Sequence, residues 1–227
     1  YYNIQQVCNI LNNKYIEADA EFSFNNVVGD PAAGSFKAVS VYIGKQYREV
    51  DGGGICQAAT ALYNCALLSD LEILERHSHS YAPEFVTPGL DAEVYYGSLD
   101  LRFKNNTGSP IRISAVITDG KLVVEFSGTD TKNYSVEIIH KTDKIKNPGV
   151  VYNTMLPDNP GEYKDGDILI EGITGYDVSI YMRKISKSTG RPLDTEKLIN
   201  TSYYAKLDQV VVKIQESEPE PEPPVVD

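Results

Sequence analysis

The chain has 227 residues, with 21 Lys and Arg against 32 Asp and Glu, no Trp, 16 Tyr, 12 Pro and 17 Gly. That suits one large or two small globular domains and excludes fibrous, collagenous and wholly disordered readings. The net charge of −11 is uneven: residues 1–128 carry 9 positive and 15 negative groups, 129–215 carry 12 of each, and 216–227 carry 5 negative groups alone.

The segment YYNIQQVCNILNNKYI places Ile4, Val7, Cys8, Leu11 and Ile16 at helical spacing, which predicts an amphipathic helix. FSFNNVVGDPAAGSFK is punctuated by Asn, Gly and Pro and leads into a hairpin through AVSVYIGKQYREV. In DGGGICQAATALYNCALLSD, the residues Ile55, Ala58, Ala59, Leu62, Cys65 and Ala66 repeat at helical spacing. A triple-glycine turn therefore opens a helix whose first turn holds Cys56 and Gln57. LEILERHSHSY reads as a strand with Leu71, Ile73, Glu75, His77, His79 and Tyr81 on one face. An antiparallel meander follows from 94 to 128. Residues 1–130 are thus expected to form an α+β domain of helices packed on antiparallel strands. Residues 131–216, β-like runs broken by NPGV, DNPGEYKDGD and KSTGRPLD, read as a small all-β module. Residues 217–227, alternating Glu and Pro, read as a disordered tail.

Partners are narrowed by what is missing. No Lys and Arg block interleaved with aromatics supports nucleic-acid binding. No apolar run approaches the ~18 residues of a membrane span, so membrane contact is expected only through an upstream anchor. No motif calls for a cofactor. Three cysteines do not make a disulfide scaffold; Cys8 with Cys65 is the one pair worth testing as a bridge.

The sharpest chemical feature is Gly52-Gly53-Gly54-Ile55-Cys56-Gln57. A thiolate at a helix start faces unpaired backbone N–H groups and the positive end of the helix dipole, both of which stabilise it. The amides of Gly54, Ile55 and Gln57 are candidates for an oxyanion hole. The bland alternative makes Cys56 a small buried hydrophobe. If it is a nucleophile, a base must lie near. A helix from 56 to about 68 is roughly 18 Å long at ~1.5 Å per residue. A strand returning at ~3.3 Å per residue comes level with Cys56 after five or six residues, near Arg76 or His77. His79 is two residues further on the same face; His77 is slightly favoured and both are kept. His77-x-His79 with Cys56 also offers three zinc ligands, with Asp51, Glu75, Glu84 or Asp91 as a fourth, and zinc ranks below the thiol–imidazole pair. A glycosidase-type carboxylate pair has less to recommend it, and His140 reads as a surface residue.

The segments FSFNNVVG, DGGGICQAATALYN, LEILERHSHS and PGLDAEVYYGSLDLRFKNNTGSPIRISA, in that order, resemble the VanW-like domain of bacterial cell-envelope proteins over residues 1–128. Two departures stand out: Ala20-Glu21 where the family has Pro-Gly, and Ala59-Thr60 where it has Ser-Thr. The resemblance implies an extracytoplasmic, Gram-positive protein. It also implies cysteine-dependent L,D-transpeptidase activity on peptidoglycan stem peptides. Cys56 would attack the third-residue carbonyl of a donor tetrapeptide, and His77 or His79 would move the protons. Arg76 and Asp91 are candidates for binding substrate carboxylate and amine, with Asp51 and Thr60 beside them. The rival readings are a non-catalytic peptidoglycan- or glycopeptide-binding module and a zinc-dependent hydrolase. In the second region EGITGYDVSIYMRK, through Gly172 and Gly175, resembles the five-glycine-type modules thought to bind amino sugars, so cell-wall glycan is a candidate partner there. A stiff spacer is the alternative.

Overall fold

The computed structural model describes residues 1–34, 36–43, 46–155 and 163–215. The expected tail at 217–227 lies outside them.

Helix α1 (Tyr2–Leu11) turns Val7, Cys8 and Leu11 to the interior. It stops at Asn12, whose backbone is extended, and Asn13 follows with φ +65°. Ile16, expected at the end of this helix, instead belongs to β1 (Tyr15–Ile16), which pairs with β7 (Ile111–Thr118). β2 (Glu21–Ser23) runs into α2 (Phe24–Val28), where the Ser23 hydroxyl caps the helix by accepting from the Asn26 amide. A short 3-10 turn at Pro31–Ala33 precedes the hairpin of β3 (Ala38–Ile43) and β4 (Gln46–Asp51). Helix α3 (Ile55–Leu68) is the central element, with Ala58, Ala59, Leu62, Tyr63 and Ala66 nearly or fully buried.

The returning strand is shorter than the sequence pattern implies. β5 (Glu72–Glu75) pairs with β6 (Arg102–Lys104), the register shifts between Ile73 and Glu75, and regular pairing ends there. Only an isolated bridge between His77 and Glu93 continues the direction. The meander is correspondingly trimmed: an isolated bridge joins Tyr95 to Leu99, and long pairing resumes with β7 and β8 (Lys121–Gly128). Phe22 and Phe103 stack at 4.8 Å between centroids and, with Phe24, Leu101 and Ile113, fill the core beneath α3. Each such apolar side chain contributes roughly 1.5–3 kcal/mol on burial.

From residue 134 the described chain is built of strands. β9 (Tyr134–Lys146) pairs along its length with β12 (Gly175–Ser186), whose other edge takes β13 (Lys197–Tyr203). A second sheet places β14 (Gln209–Ile214) between β10 (Val150–Met155), parallel to it, and β11 (Ile168–Ile170), antiparallel. Among the described residues every α-helix lies before residue 69 and strand is the commonest regular structure, which accords with an α+β chain.

The two halves touch. Ile138 and Ile199 pack against the first half's core. At the end of α3, Asp70 accepts a 2.6 Å hydrogen bond from Tyr134 and pairs with Lys184 at 3.1 Å. Burial works to raise its pKa, but these partners more than offset it and lower the carboxyl below its ordinary value.

Candidate active site

The turn before α3 requires glycine. Gly54 caps the helix at φ +98°, and a Cβ there would sit 3.1 Å from Ile4 Cγ1; one at Gly52, φ +72°, would lie 2.5 Å from Ile55 Cδ1. The buried side chain of Asn3 fixes the turn from outside, donating to the Gly53 carbonyl at 3.1 Å and to the Lys37 carbonyl at 2.9 Å. Cys56 emerges in the first turn of the helix, half-buried, with Sγ 3.6 Å from the Val94 carbonyl. Two of the three expected oxyanion donors are already committed: the Ile55 amide donates to the Gly52 carbonyl at 3.0 Å and the Gln57 amide to the Gly54 carbonyl at 3.1 Å.

The two histidines part company. His77, slightly favoured from the sequence, bonds through Nε2 to Glu75 Oε1 at 3.0 Å, with its side chain 38% exposed. His79 is the imidazole that interacts with Cys56. Its Nδ1 lies 2.7 Å from Asp91 Oδ2, which leaves Nε2 as the ring nitrogen available to the sulfur. Its backbone amide donates to the same oxygen at 2.8 Å, and Phe85 stands edge-on to the ring at 6.0 Å. A straight strand would bring residue 77 level with Cys56, but the strand is not straight. The register shift after Ile73 and the loss of pairing after Glu75 release the chain, so strict alternation no longer governs 76–79.

Asp91 is fully buried. The substrate-amine contact that the sequence suggests for Asp91 does not fit this burial; its carboxylate instead orients His79. Burial alone would raise its pKa. Hydrogen bonds from the His79 ring, the Tyr204 hydroxyl and the His79 amide, with the Arg76 charge, reverse this and bring it down to about 2. Burial acts on His79 in the opposite sense to its partners: it disfavours the cation, yet the bonds to Asp91 and Cys56 and the charges of both carry the imidazole up to about 9. At neutral pH the site therefore holds an imidazolium between a carboxylate and a sulfur.

Two other expected substrate contacts are also structural. Arg76 turns inward, with its side chain 7% exposed; it donates from Nη2 to Asp91 Oδ1 at 2.7 Å and from Nε to the Asp91 carbonyl at 2.6 Å. The buried Thr60 hydroxyl accepts from the Ala92 amide at 2.9 Å and so ties the segment carrying Asp91 to α3. The side chain of Asp51 lies outside the described residues, and Glu84 is exposed. Among the described residues no three His, Cys, Asp or Glu side chains come together in a way that could hold a metal ion, so the zinc alternative lacks a ligand set. Cys8, Cys56 and Cys65 are all free thiols, and Cys8 and Cys65 are not bridged. The Cys65 thiol, buried and close to the Glu125 charge, is raised to about 11.

Sequence reasoning missed Asn3 and Tyr204. Asn3 sits in an otherwise ordinary helical pattern. Tyr204 is remote in sequence, and nothing local marks it. No described helix is long and apolar enough to cross a membrane.

Comparison with known proteins places the chain. Over 141 residues it is 32% identical to the Bacillus subtilis (strain 168) protein named "Uncharacterized protein YoaR", covering 62% of this chain and 46% of that one. Over 130 residues it is 28% identical to the Enterococcus faecalis (strain ATCC 700802 / V583) "Vancomycin B-type resistance protein VanW", covering 54% of this chain and 46% of the relative. Each match thus spans about half the relative's length. A crystal structure of HP0197-G5 aligns with 34% of this chain and 96% of its own at 16% identity, with a TM-score of 0.17, too low to bear on the fold. Residues 1–127 match the family described as VanW like protein, and the chain belongs to that family.

Proposed function

We propose that this chain is an extracytoplasmic, cysteine-dependent L,D-transpeptidase acting on peptidoglycan stem peptides. The observation that carries the reading is the Cys56–His79–Asp91 arrangement: a half-buried thiol at a helix start, an imidazole electrostatically coupled to it, and a buried carboxylate on that ring's Nδ1. This is the logic of a nucleophile, its acid–base partner and an orienting group. The substrate class rests on family resemblance, and a relative with vancomycin resistance in its name supports a wall-directed role.

In the acylation step Cys56, its thiol proton passed to His79, bonds through Sγ to the carbonyl carbon of the third residue of a donor tetrapeptide. The oxyanion draws on amides of the helix start, those of Gly54 and Cys56 remaining once Ile55 and Gln57 are committed within the turn. His79 gives its proton to the departing nitrogen as the C–N bond breaks, and D-Ala leaves. The acceptor's side-chain amine then attacks the thioester, His79 takes up the amine proton, the C–S bond breaks, and a cross-link forms between two third-position residues. Asp91 keeps the imidazole oriented throughout.

The test is incubation of a purified muropeptide digest with the full chain, followed by mass spectrometry of products and protein. An acyl adduct on Cys56 and a cross-linked dimer are expected. Product formed equally by the Cys56→Ala chain would sink the assignment.

A further inference from the structure

The strand that ends the β9–β12–β13 sheet carries an unusual row of side chains. Asn200, Ser202 and Tyr204 alternate along β13 and its continuation, so they share one face. That face is buried and polar: Ser202 is 1% and Tyr204 0% exposed. All three reach toward the site. Asn200 donates to the Tyr63 hydroxyl at 2.8 Å and to the Gly89 carbonyl at 3.3 Å. The Ser202 hydroxyl accepts from Arg76 Nη1 at 2.7 Å and donates to Asn200 Oδ1 at 3.2 Å. The Tyr204 hydroxyl donates to Asp91 Oδ1 and accepts from the Gly89 amide at 2.6 Å. One residue on, the Ala205 amide donates to the Ser80 carbonyl at 2.8 Å, beside His79.

These bonds divide the two oxygens of Asp91. Oδ1 takes Arg76 and Tyr204, while Oδ2 takes the His79 amide and ring. A carboxylate gripped on one oxygen cannot turn about its own axis, so the other oxygen is held for the imidazole. A docked spacer has no need of such a face; it would bury apolar side chains without aiming hydroxyls at a catalytic carboxylate.

We propose that the second half of the chain is a working part of the site, with Tyr204, and Ser202 acting through Arg76, serving as positioning residues that fix Asp91 in the orientation His79 needs. The inference rests on the reading of Cys56, His79 and Asp91 given above. Tyr204 reaches its place because the 204–206 backbone crosses directly over Gly175: a Cβ there would lie 2.6 Å from both the Tyr204 carbonyl oxygen and the Lys206 amide nitrogen. One of the two glycines that suggested a five-glycine-type module is thus what lets Tyr204 in.

The test uses the full chain as wild type, Tyr204→Phe and Ser202→Ala, with thermal melts run in parallel. Two quantities are read: turnover of a muropeptide tetrapeptide, and the rate of Cys56 alkylation by iodoacetamide from pH 5 to pH 10, which needs no substrate. The charged or titratable groups facing His79 are Asp91 and Cys56, with Arg76 and Tyr204 acting on Asp91. In the wild type, the alkylation profile bends where His79 loses its proton, at about 9. In Tyr204→Phe that bend moves down toward the ordinary histidine value of ~6.5. Turnover falls on the order of 10- to 100-fold in kcat with KM little changed, as expected when an oriented group is loosened. Ser202→Ala moves both quantities in the same direction by less. A folded Tyr204→Phe chain whose profile and kcat superimpose on the wild type overturns the proposal; if that variant does not fold, an unmoved profile in Ser202→Ala does so. Failure of the transpeptidase reading looks different: the wild type alkylates with its bend near 9 but makes no cross-linked product.

Discussion

A thiol becomes a nucleophile through its neighbours, and the three cysteines differ sharply in theirs. Cys8 is sealed in the core and Cys65 donates to the Val124 carbonyl at 3.1 Å, burial raising the pKa of each. Of the three, Cys56 is the one coupled electrostatically to an imidazole. Cys65→Ala should therefore leave turnover within about twofold, while Cys56→Ala abolishes it; equal loss in both would point to a structural role for the thiols. The histidines give a sharper contrast. His79→Gln should lower kcat by 10²- to 10⁴-fold, the usual weight of a positioned acid–base group. His77→Gln, which removes only a bond to Glu75, should cost less than about tenfold, and a reversal of this order would exchange their roles. Because His79 keeps its proton up to about 9, the rate of acylation should decline above that pH as the leaving amine loses its proton donor. A pH–rate profile that falls below pH 8 would contradict it.

At the level of elements, the glycine turn and α3 were legible because their signals are local: a helical apolar repeat behind three glycines fits one structure well. The Cys56 position followed from that. The base did not follow to the residue, since the register shift between Ile73 and Glu75 leaves no mark in the run LEILERHSHSY. The inward turn of Arg76 was hidden for the same reason. β13 escaped notice because its buried face is polar, and hydrophobic alternation is the signal by which a strand is found. The turn itself can be tested. Gly54→Ala places a side chain at φ +98° and 3.1 Å from Ile4 Cγ1, which should cost about 1–3 kcal/mol in urea unfolding. It should also slow Cys56 alkylation as the first turn of α3 shifts. An unchanged denaturation midpoint would show that the helix start tolerates a Cβ.

For the molecule as a whole, the halves read from the sequence as domain and module share side-chain bonds at both ends of α3: Asp91 with Tyr204, buried near Cys56, and Asp70 with Tyr134 and Lys184, partly buried beyond Leu68. Unfolding followed by tyrosine fluorescence and by Cys56 alkylation should therefore give coincident transitions; a separate early transition would mean that the halves unfold independently. Stability should also depend on pH with a definite sign. Asp91, lowered to about 2, contributes above its ordinary ~4 and loses that contribution as pH falls through 2. His79, raised to about 9, contributes fully below its ordinary ~6.5 and loses it as pH rises through 9. The wild type should accordingly weaken toward urea between pH 7 and pH 10, and His79→Gln should flatten that slope. An equal slope in both would assign the loss to other groups.

The hydrogen bond from Tyr204 to Asp91 joins residues 113 positions apart. A chain made from its N-terminus presents its cysteine-bearing helix long before the tyrosine arrives. Until residue 204 is in place, the carboxylate lacks one of its two grips and the imidazole lacks a fixed partner. The arrangement thus acts as a timer: full reactivity of the thiol waits until residue 204 has been made and folded into place.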